Sequence, residues 1–397
     1  MKRVLIIEAQ IKRYRLPFYL RLHAALAHDG FKLRVVYSDP PAAEAGQQDT
    51  CDLPHDFGVK VRGYRLSQAC FLWQSAFRQL AAADLVVVDH ANRFLINHFL
   101  LPLSLCKLKS VAFWGLGENL QADRSAVSEW YKEKTLNWVR WWFAYTQGTA
   151  RYLQAHGVPA SKITAVQNSI DTRATRACVR SLSPNAKALL RARLEIPLAA
   201  PVGIFVGMLQ KVKALPFLID AGIRIRQTVP DFQLIVAGGG PDELEIKRAA
   251  ADKPWIHFVG PQFGRNKANL MGIADLFLLP GRAGLAVLDG LAAGLPLVAT
   301  RLPIHGPEIE YLEHGVNGIL TDSNSAAYAA AISALLSDKD RLAALRDGAA
   351  ASGERYSIEA MVENFRSGIV RCLAQPRWQF SHFKWREQPD APQRTDG

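Results

Sequence analysis

The sequence predicts an α/β protein built from two Rossmann-like units, each a parallel sheet covered on both faces by helices. Three observations predict it. Short apolar runs rich in Val, Ile and Leu alternate with helical segments along the whole chain, the pattern of buried parallel strands joined by crossover helices. A chain of 397 residues is long for one hydrophobic core, so two domains are expected. Hydrophobic residues make up 49% and charged residues 21%, which is globular and excludes a disordered chain.

The expected strands of the first half are Val4–Glu8, Lys32–Tyr37, Leu85–Asp89, Val111–Trp114, Trp142–Tyr145 and Ile163–Val166. Those of the second half are Val202–Val206, Gln233–Ala237, Ile256–Val259, Leu276–Leu279, Leu297–Ala299 and Gly318–Leu320. The start Met1–Glu8 carries too short an apolar run for a signal peptide and reads as the first strand. Leu95 to Leu108 is apolar, but His98 interrupts it and Lys107 ends it; it is too short to span a bilayer and reads as a buried helix. A linker is expected around Thr172 to Pro201, with a short basic helix from Pro184 to Leu194. The division is 1–180 for the first domain, 181–356 for the second, 357–374 for a final helix packing back toward the first domain, and 375–397 for a polar tail. Five scattered cysteines without CxxC spacing read as reduced thiols of a cytoplasmic protein, with no metal site.

The formal net charge of +12 points to an anionic partner (nucleic acid, nucleotide diphosphate or acidic lipid) or simply to a basic surface. No nucleic-acid-binding motif is recognisable and the basic residues are dispersed, so no nucleic acid is expected.

The second half carries the informative motifs. A strand ends at Gly207, where backbone can approach a ligand, and Lys211 and Lys213 follow; Lys213 can place its ammonium on a diphosphate, or remain solvated. Gly238-Gly239-Gly240-Pro241 breaks the next strand, either for close nucleotide approach or as a tight turn. The stretch Ala274 to Val298 reads strand, Pro-Gly turn, small-residue helix, strand. Free amides at Gly281, Gly284 and Leu285 suit phosphate, with Arg282 beside them. Asp289, one to two turns further in, can accept both hydroxyls of a ribose or stand as a helix-surface acid. His305-Gly306-Pro307-Glu308 and Gly315-Val316-Asn317-Gly318 follow and read mainly as turns.

In order and spacing these motifs resemble the donor domain of the retaining GT-B glycosyltransferases of family 4, the bacterial polysaccharide type, over about residues 200–370. The resemblance implies a GT-B fold with parallel sheets facing an interdomain cleft. It implies a nucleotide-sugar donor without a bound cofactor or metal. It implies that Lys213 binds the donor diphosphate, that Gly240 and Pro241 flank the nucleobase region, and that Asp289 holds ribose in place of the family's second glutamate. Glu308 matches the pattern only by position. Met208 stands where the family has a phosphate-binding Arg, and Gly281 where its first glutamate stands; Arg282 or Lys211 is expected to supply the missing cation.

In the first half, polar residues follow strand ends at His90, Glu118, Tyr145-Thr146-Gln147 and Asn168-Ser169, where an open α/β sheet binds ligand. His90 is a candidate to orient or donate to the sugar, and Glu118 is the other titratable candidate; each has a structural alternative. Lys12, Arg13 and Arg15 suit an anionic acceptor such as a lipid pyrophosphate, or stay solvated. Aromatic and basic residues from Trp130 to Phe143 suit a membrane interface, although Trp142 and Phe143 are expected in a buried strand. The expected function is hexosyl or related transfer to a glycan or lipid-linked acceptor in cell-surface polysaccharide or lipopolysaccharide assembly, in the cytoplasm with peripheral contact to anionic membrane. Met208 and Gly281 motivate the alternative of a non-catalytic nucleotide-sugar-binding scaffold.

Overall fold

The computed structural model describes residues 1–41, 49–66, 71–118 and 126–376. The strands of the first half are β1 (Lys2–Ile7), β2 (Phe31–Tyr37), β3 (Gly58–Lys60), β4 (Gly63–Leu66), β5 (Phe71–Gln74), β6 (Leu85–Asp89), β7 (Val111–Gly115), β8 (Trp141–Ala144) and β9 (Ile163–Ala165). Among the described residues, seven of them form one sheet in the order β3-β2-β1-β6-β7-β8-β9, and β4 pairs with β5 in a separate hairpin. The second half contributes β10 (Val202–Val206), β11 (Gln233–Ala237), β12 (Ile256–Gly260), β13 (Leu276–Leu279), β14 (Leu297–Thr300) and β15 (Gly318–Thr321), in the order β12-β11-β10-β13-β14-β15. Every pairing within both sheets is parallel.

Both orders are doubly wound. Strands run one way from the first strand of the unit and then the other, which opens a crevice where the order reverses, between β1 and β6 and between β10 and β13. The central strands are apolar on both sides because helices cover both faces; Val4 to Ile6 and Val86 to Val88 are all buried.

One face of the first sheet lies under the helix Leu16–His28 and the final helix Ile358–Ala374, which begins on the hydroxyl of Ser357 (Ala360 N–H to Oγ, 3.3 Å). Phe365 of that helix stacks on Phe143 with centroids 4.1 Å apart. Gly368 is needed there, since a Cβ would lie 2.6 Å from the Phe143 ring. The helix Arg173–Arg180 packs instead on Gly264–Gly272 of the second unit, Cys178 Sγ lying 3.3 Å from Asn269 Oδ1.

Several details differ from the sequence expectation. The strand expected at Trp142–Tyr145 begins one residue earlier, where Trp141 Nε1 donates to Thr164 Oγ1 (3.0 Å), and Tyr145 lies beyond its end. The helix expected over Leu95–Leu108 stops at Leu105, and Lys107 takes a left-handed conformation (φ 62°). Only one side of it is buried: Ile96, Leu100 and Leu101 enter the core, whereas Phe99, Leu105 and Leu108 face solvent. The short strand β3 and the hairpin have no counterpart in the sequence reading. Cys51, Cys106, Cys178 and Cys372 carry no disulfide. Cys70 and the tail from residue 377 lie outside the described residues. Among the described residues no helix is long and apolar enough to cross a membrane.

Candidate active site

The second crevice is built by the loops that leave β10 and β13. After β10 the chain passes Gly207 and the exposed Met208 into a 3-10 turn, Lys211–Lys213; after β13 it runs from Pro280 to Leu285 before the helix Ala286–Ala292. The two loops are tied together. Arg282 N–H donates to the Val212 carbonyl (2.7 Å), and the Lys213 ammonium donates to the Arg282 carbonyl (2.6 Å). Burial, and then the neighbouring Arg282 guanidinium, push the Lys213 pKa down. A desolvated ammonium next to a second cation is a site waiting for negative charge.

Gly281 makes the contact possible: a Cβ there would sit 2.5 Å from the Lys213 carbonyl carbon and from the Val212 oxygen. Gly284, by contrast, has open space where its Cβ would be, and Gly207 meets only the Phe205 ring at 3.6 Å. The loop that leaves β11 is stitched to the loop that leaves β10. Gly207 N–H donates to Ala237 O (3.0 Å) and Leu209 N–H to Gly239 O (2.9 Å). A Cβ on Gly238 would overlap the Gly207 oxygen, and one on Gly240 (φ 152°) the Leu209 oxygen. These glycines therefore serve loop-on-loop packing. Pro241 is exposed beside them.

Asp289 is buried in its helix and accepts from Lys267 Nζ (2.7 Å). The pair borders a cavity of about 660 Å³ that Tyr14 and Pro17 of the first unit also line. The Ala286–Ala292 helix has only seven residues, so its macrodipole is short and the cations carry most of the site's charge. His305 fixes the Pro280–Leu285 loop: its Nε2–H donates to Thr300 O (2.7 Å) and its Nδ1 accepts from Ala283 N–H (2.9 Å), which defines a neutral tautomer. The sequence reading gave this histidine no role.

The units meet at Glu308. Asn168 Nδ2 of the first unit donates to its Oε1 (2.6 Å); burial raises the carboxyl pKa, and the Asn168 bond, Arg15 and Arg282 offset part of the rise. Glu310 continues the seam by accepting from Gly148 N–H (2.7 Å) and Arg151 (2.6 Å). The sequence singled out both Asn168 and Glu308, but not their contact, which joins positions 140 residues apart.

The first-half candidates are placed differently from one another. Glu118 is partly exposed just beyond β7, where its charge acts on Lys132. His90 is 4% exposed and belongs to the core: its ring packs on Phe113 (4.3 Å) and Trp142 (5.1 Å), and Nε2–H donates to Thr135 Oγ1 (3.1 Å). Burial pushes its pKa from 6.5 down to about 3. The unfolded chain therefore binds a proton that the folded chain refuses. His90 supports folding fully above about pH 6.5 and progressively less as pH falls toward 3. Thermal melts between about pH 7 and pH 4 should show wild type losing more stability than His90→Gln.

Two doubly wound units facing a crevice lined with cations define a GT-B architecture. The chain matches the structure of Anabaena HepE in complex with UDP (TM-score 0.67, 18% identity, 93% of this chain and 100% of that one). It also matches sucrose-phosphate synthase from Thermosynechococcus elongatus (TM-score 0.66, 15% identity, 94% and 99%). Residues 18–174 match the family described as Glycosyltransferase Family 4, and residues 200–338 the one described as Glycosyl transferases group 1. The chain belongs to glycosyltransferase family 4. Curated relatives include D-inositol 3-phosphate glycosyltransferases of Salinispora tropica (30% identity over 214 residues, 50% of this chain and 44% of the relative) and Corynebacterium urealyticum (32% over 201 residues, 45% and 45%). The chain spans about half the length of the curated relatives it matches.

Proposed function

We propose that the protein transfers a sugar from a nucleotide-diphosphate donor to a hydroxyl of a glycan or lipid-linked acceptor in cell-surface polysaccharide assembly, with retention and without a metal. The observation that carries this is the desolvated Lys213 ammonium beside Arg282 at the second crevice. Breaking the bond from the anomeric carbon to the phosphate oxygen leaves its electron pair, and the negative charge, on the diphosphate. Lys213 and Arg282 stabilise that charge more as it grows, which is what accelerates the step. The acceptor hydroxyl attacks from the same face and gives its proton to the departing phosphate oxygen, so no protein nucleophile is required. Asp289, held by Lys267, is the ribose contact, and Arg282 stands in for the cation missing at Met208. The names of the matched relatives, sugar transferases and a UDP complex, support the donor class.

Peripheral contact with an anionic membrane fits the outer side of the first unit. Phe77 and Phe99 meet edge to face (5.8 Å) at its surface, Leu105 and Leu108 are exposed near Lys107, and Trp130 is 59% exposed near Lys134. The double variant Phe99→Glu, Leu108→Glu is expected to cut co-sedimentation with anionic vesicles at least fivefold, by roughly the worth of one buried aromatic ring.

The test of the main reading is a panel of radiolabelled nucleotide sugars, scored for hydrolysis and for thermal protection; a ligand at about 100 times its Kd adds roughly 2.7 kcal/mol. Protection with turnover supports the enzyme. Protection without turnover on any acceptor supports the scaffold alternative, which the exposed Met208 motivates. No protection by any member of the panel contradicts both.

A further inference from the structure

Arg282 and Ala283 share one peptide unit, and side chains take both of its polar ends. Its carbonyl accepts from the Lys213 ammonium (2.6 Å), and its N–H donates to His305 Nδ1 (2.9 Å). A trans peptide points these two groups in opposite directions, so the lysine and the histidine hold it from opposite sides. A peptide polarised at one end bonds more strongly at the other, and the two contacts support each other. His305 is fixed in turn by the Thr300 carbonyl, which accepts from Nε2–H (2.7 Å). The neighbouring bonds run the same way: Thr300 Oγ1 donates to the Pro280 carbonyl (2.8 Å) and Gly306 N–H to the Ala283 carbonyl (2.7 Å). His305 is 7% exposed and Ala283 fully buried, so an N–H left there without its acceptor is costly.

The arrangement works in one protonation state. Neutral His305 presents a lone pair at Nδ1. With a proton on Nδ1, two N–H groups would face each other, and the peptide would have to turn its N–H away. The carbonyl of the same rigid unit would turn with it, away from Lys213. Burial holds the His305 pKa below 6.5; the Thr300 bond offsets part of this, and Lys213 and Arg282 lower it further. These two cations face the ring from the lysine turn and from the loop after β13. On the histidine's own segment, Glu308 turns its carboxylate to Asn168 (2.6 Å), and Arg301, just beyond β14, is exposed.

We infer that His305 is a positioning residue of the donor site: in its neutral form it fixes the Arg282–Ala283 peptide and, through that peptide, the Lys213 ammonium, and gain of a proton undoes both. This rests on the glycosyltransferase reading and deepens it, by giving the donor lysine a proton-sensitive support.

Steady-state kinetics of the full chain test it, with the nucleotide sugar of the radiolabelled panel that wild type turns over fastest. His305→Ala should lower kcat about tenfold at about pH 7.5, roughly the worth of the hydrogen bond left unmade, with donor KM little changed. His305→Asn, whose Oδ1 replaces Nδ1 as the acceptor, should stay within about threefold of wild type. Asn does not titrate, so the ratio of wild-type kcat to that of His305→Asn should fall at least about threefold between about pH 7.5 and about pH 4.5. In a Lys213→Ala background, His305→Ala should cost less than about twofold more, because its effect passes through the lysine. Thermal melts of the same samples show that the variants are folded at each pH. If wild type turns over no nucleotide sugar, the glycosyltransferase reading falls and takes this inference with it. If wild type turns one over but His305→Ala keeps wild-type kcat, or His305→Asn is as slow as His305→Ala, or the ratio does not change with pH, or the losses at 305 and 213 simply add, only the role of His305 is overturned.

Discussion

Lys213→Ala is expected to lower kcat for sugar transfer by about 100- to 1000-fold, the loss typical of removing one preorganised donor to developing charge. Donor KM should change far less, because the ammonium interacts most strongly once the diphosphate carries the charge of the broken bond. The surroundings make the effect large. The ammonium is partly desolvated, is fixed by the Arg282 carbonyl and lies beside a second cation, so its field on a bound diphosphate is poorly screened. Lys213→Arg should restore little: a planar guanidinium is bulkier and would stand against Arg282. Steady-state kinetics with donor and acceptor varied separately checks both variants. A fall in kcat below fivefold for Lys213→Ala would remove this lysine from the chemistry.

Gly281→Ala should cost on the order of 100-fold in kcat/KM although it adds one methyl group and deletes no polar atom. That methyl would lie 2.5 Å from the Lys213 carbonyl carbon and from the Val212 oxygen, so the Lys211–Lys213 turn must move away. A displacement of about 1 Å at a group that must meet the leaving phosphate is enough for such a loss. Overpacking should also lower stability by about 1–3 kcal/mol. Gly281→Glu, which places the family's glutamate at this position, should be worse still, since its Cβ meets the same atoms. The control is three residues away: Gly284→Ala enters open space and should fold and turn over nearly as wild type. Kinetics and thermal melts of the three variants decide the matter. Equal behaviour of Gly281→Ala and Gly284→Ala would show that the loop contact is unimportant. The glycine at 281 is thus a packing requirement of this chain's own lysine turn.

Much of this was legible in the sequence. Strands such as Val202–Val206 and Gln233–Ala237 are buried on both faces, so their apolar runs and Gly or Pro ends mark their limits. Gly207, Lys213 and Gly281 could be assigned to crevice loops because such loops follow strand ends. The missed pieces share a cause. Strand β3 has three residues and the β4–β5 hairpin is short and half-exposed, so neither has a periodicity strong enough to read. His90 looked functional because it follows a strand; whether its ring turns to the cleft or to Phe113 and Trp142 depends on tertiary packing. Arg15 read as a cation for an anionic acceptor or as a solvated one, yet it is 9% exposed among aromatic rings. The partners Lys267–Asp289 and Glu308–Asn168 lie 22 and 140 residues apart, and only the fold brings them together.

The most direct test of the central claim is a crystal structure of the full chain with UDP or GDP bound. The diphosphate should lie between the loops after β10 and β13, with an oxygen about 3 Å from Lys213 Nζ and the ribose beside Asp289. Nucleotide bound away from this crevice, with Lys213 still held only by the Arg282 carbonyl, would contradict it.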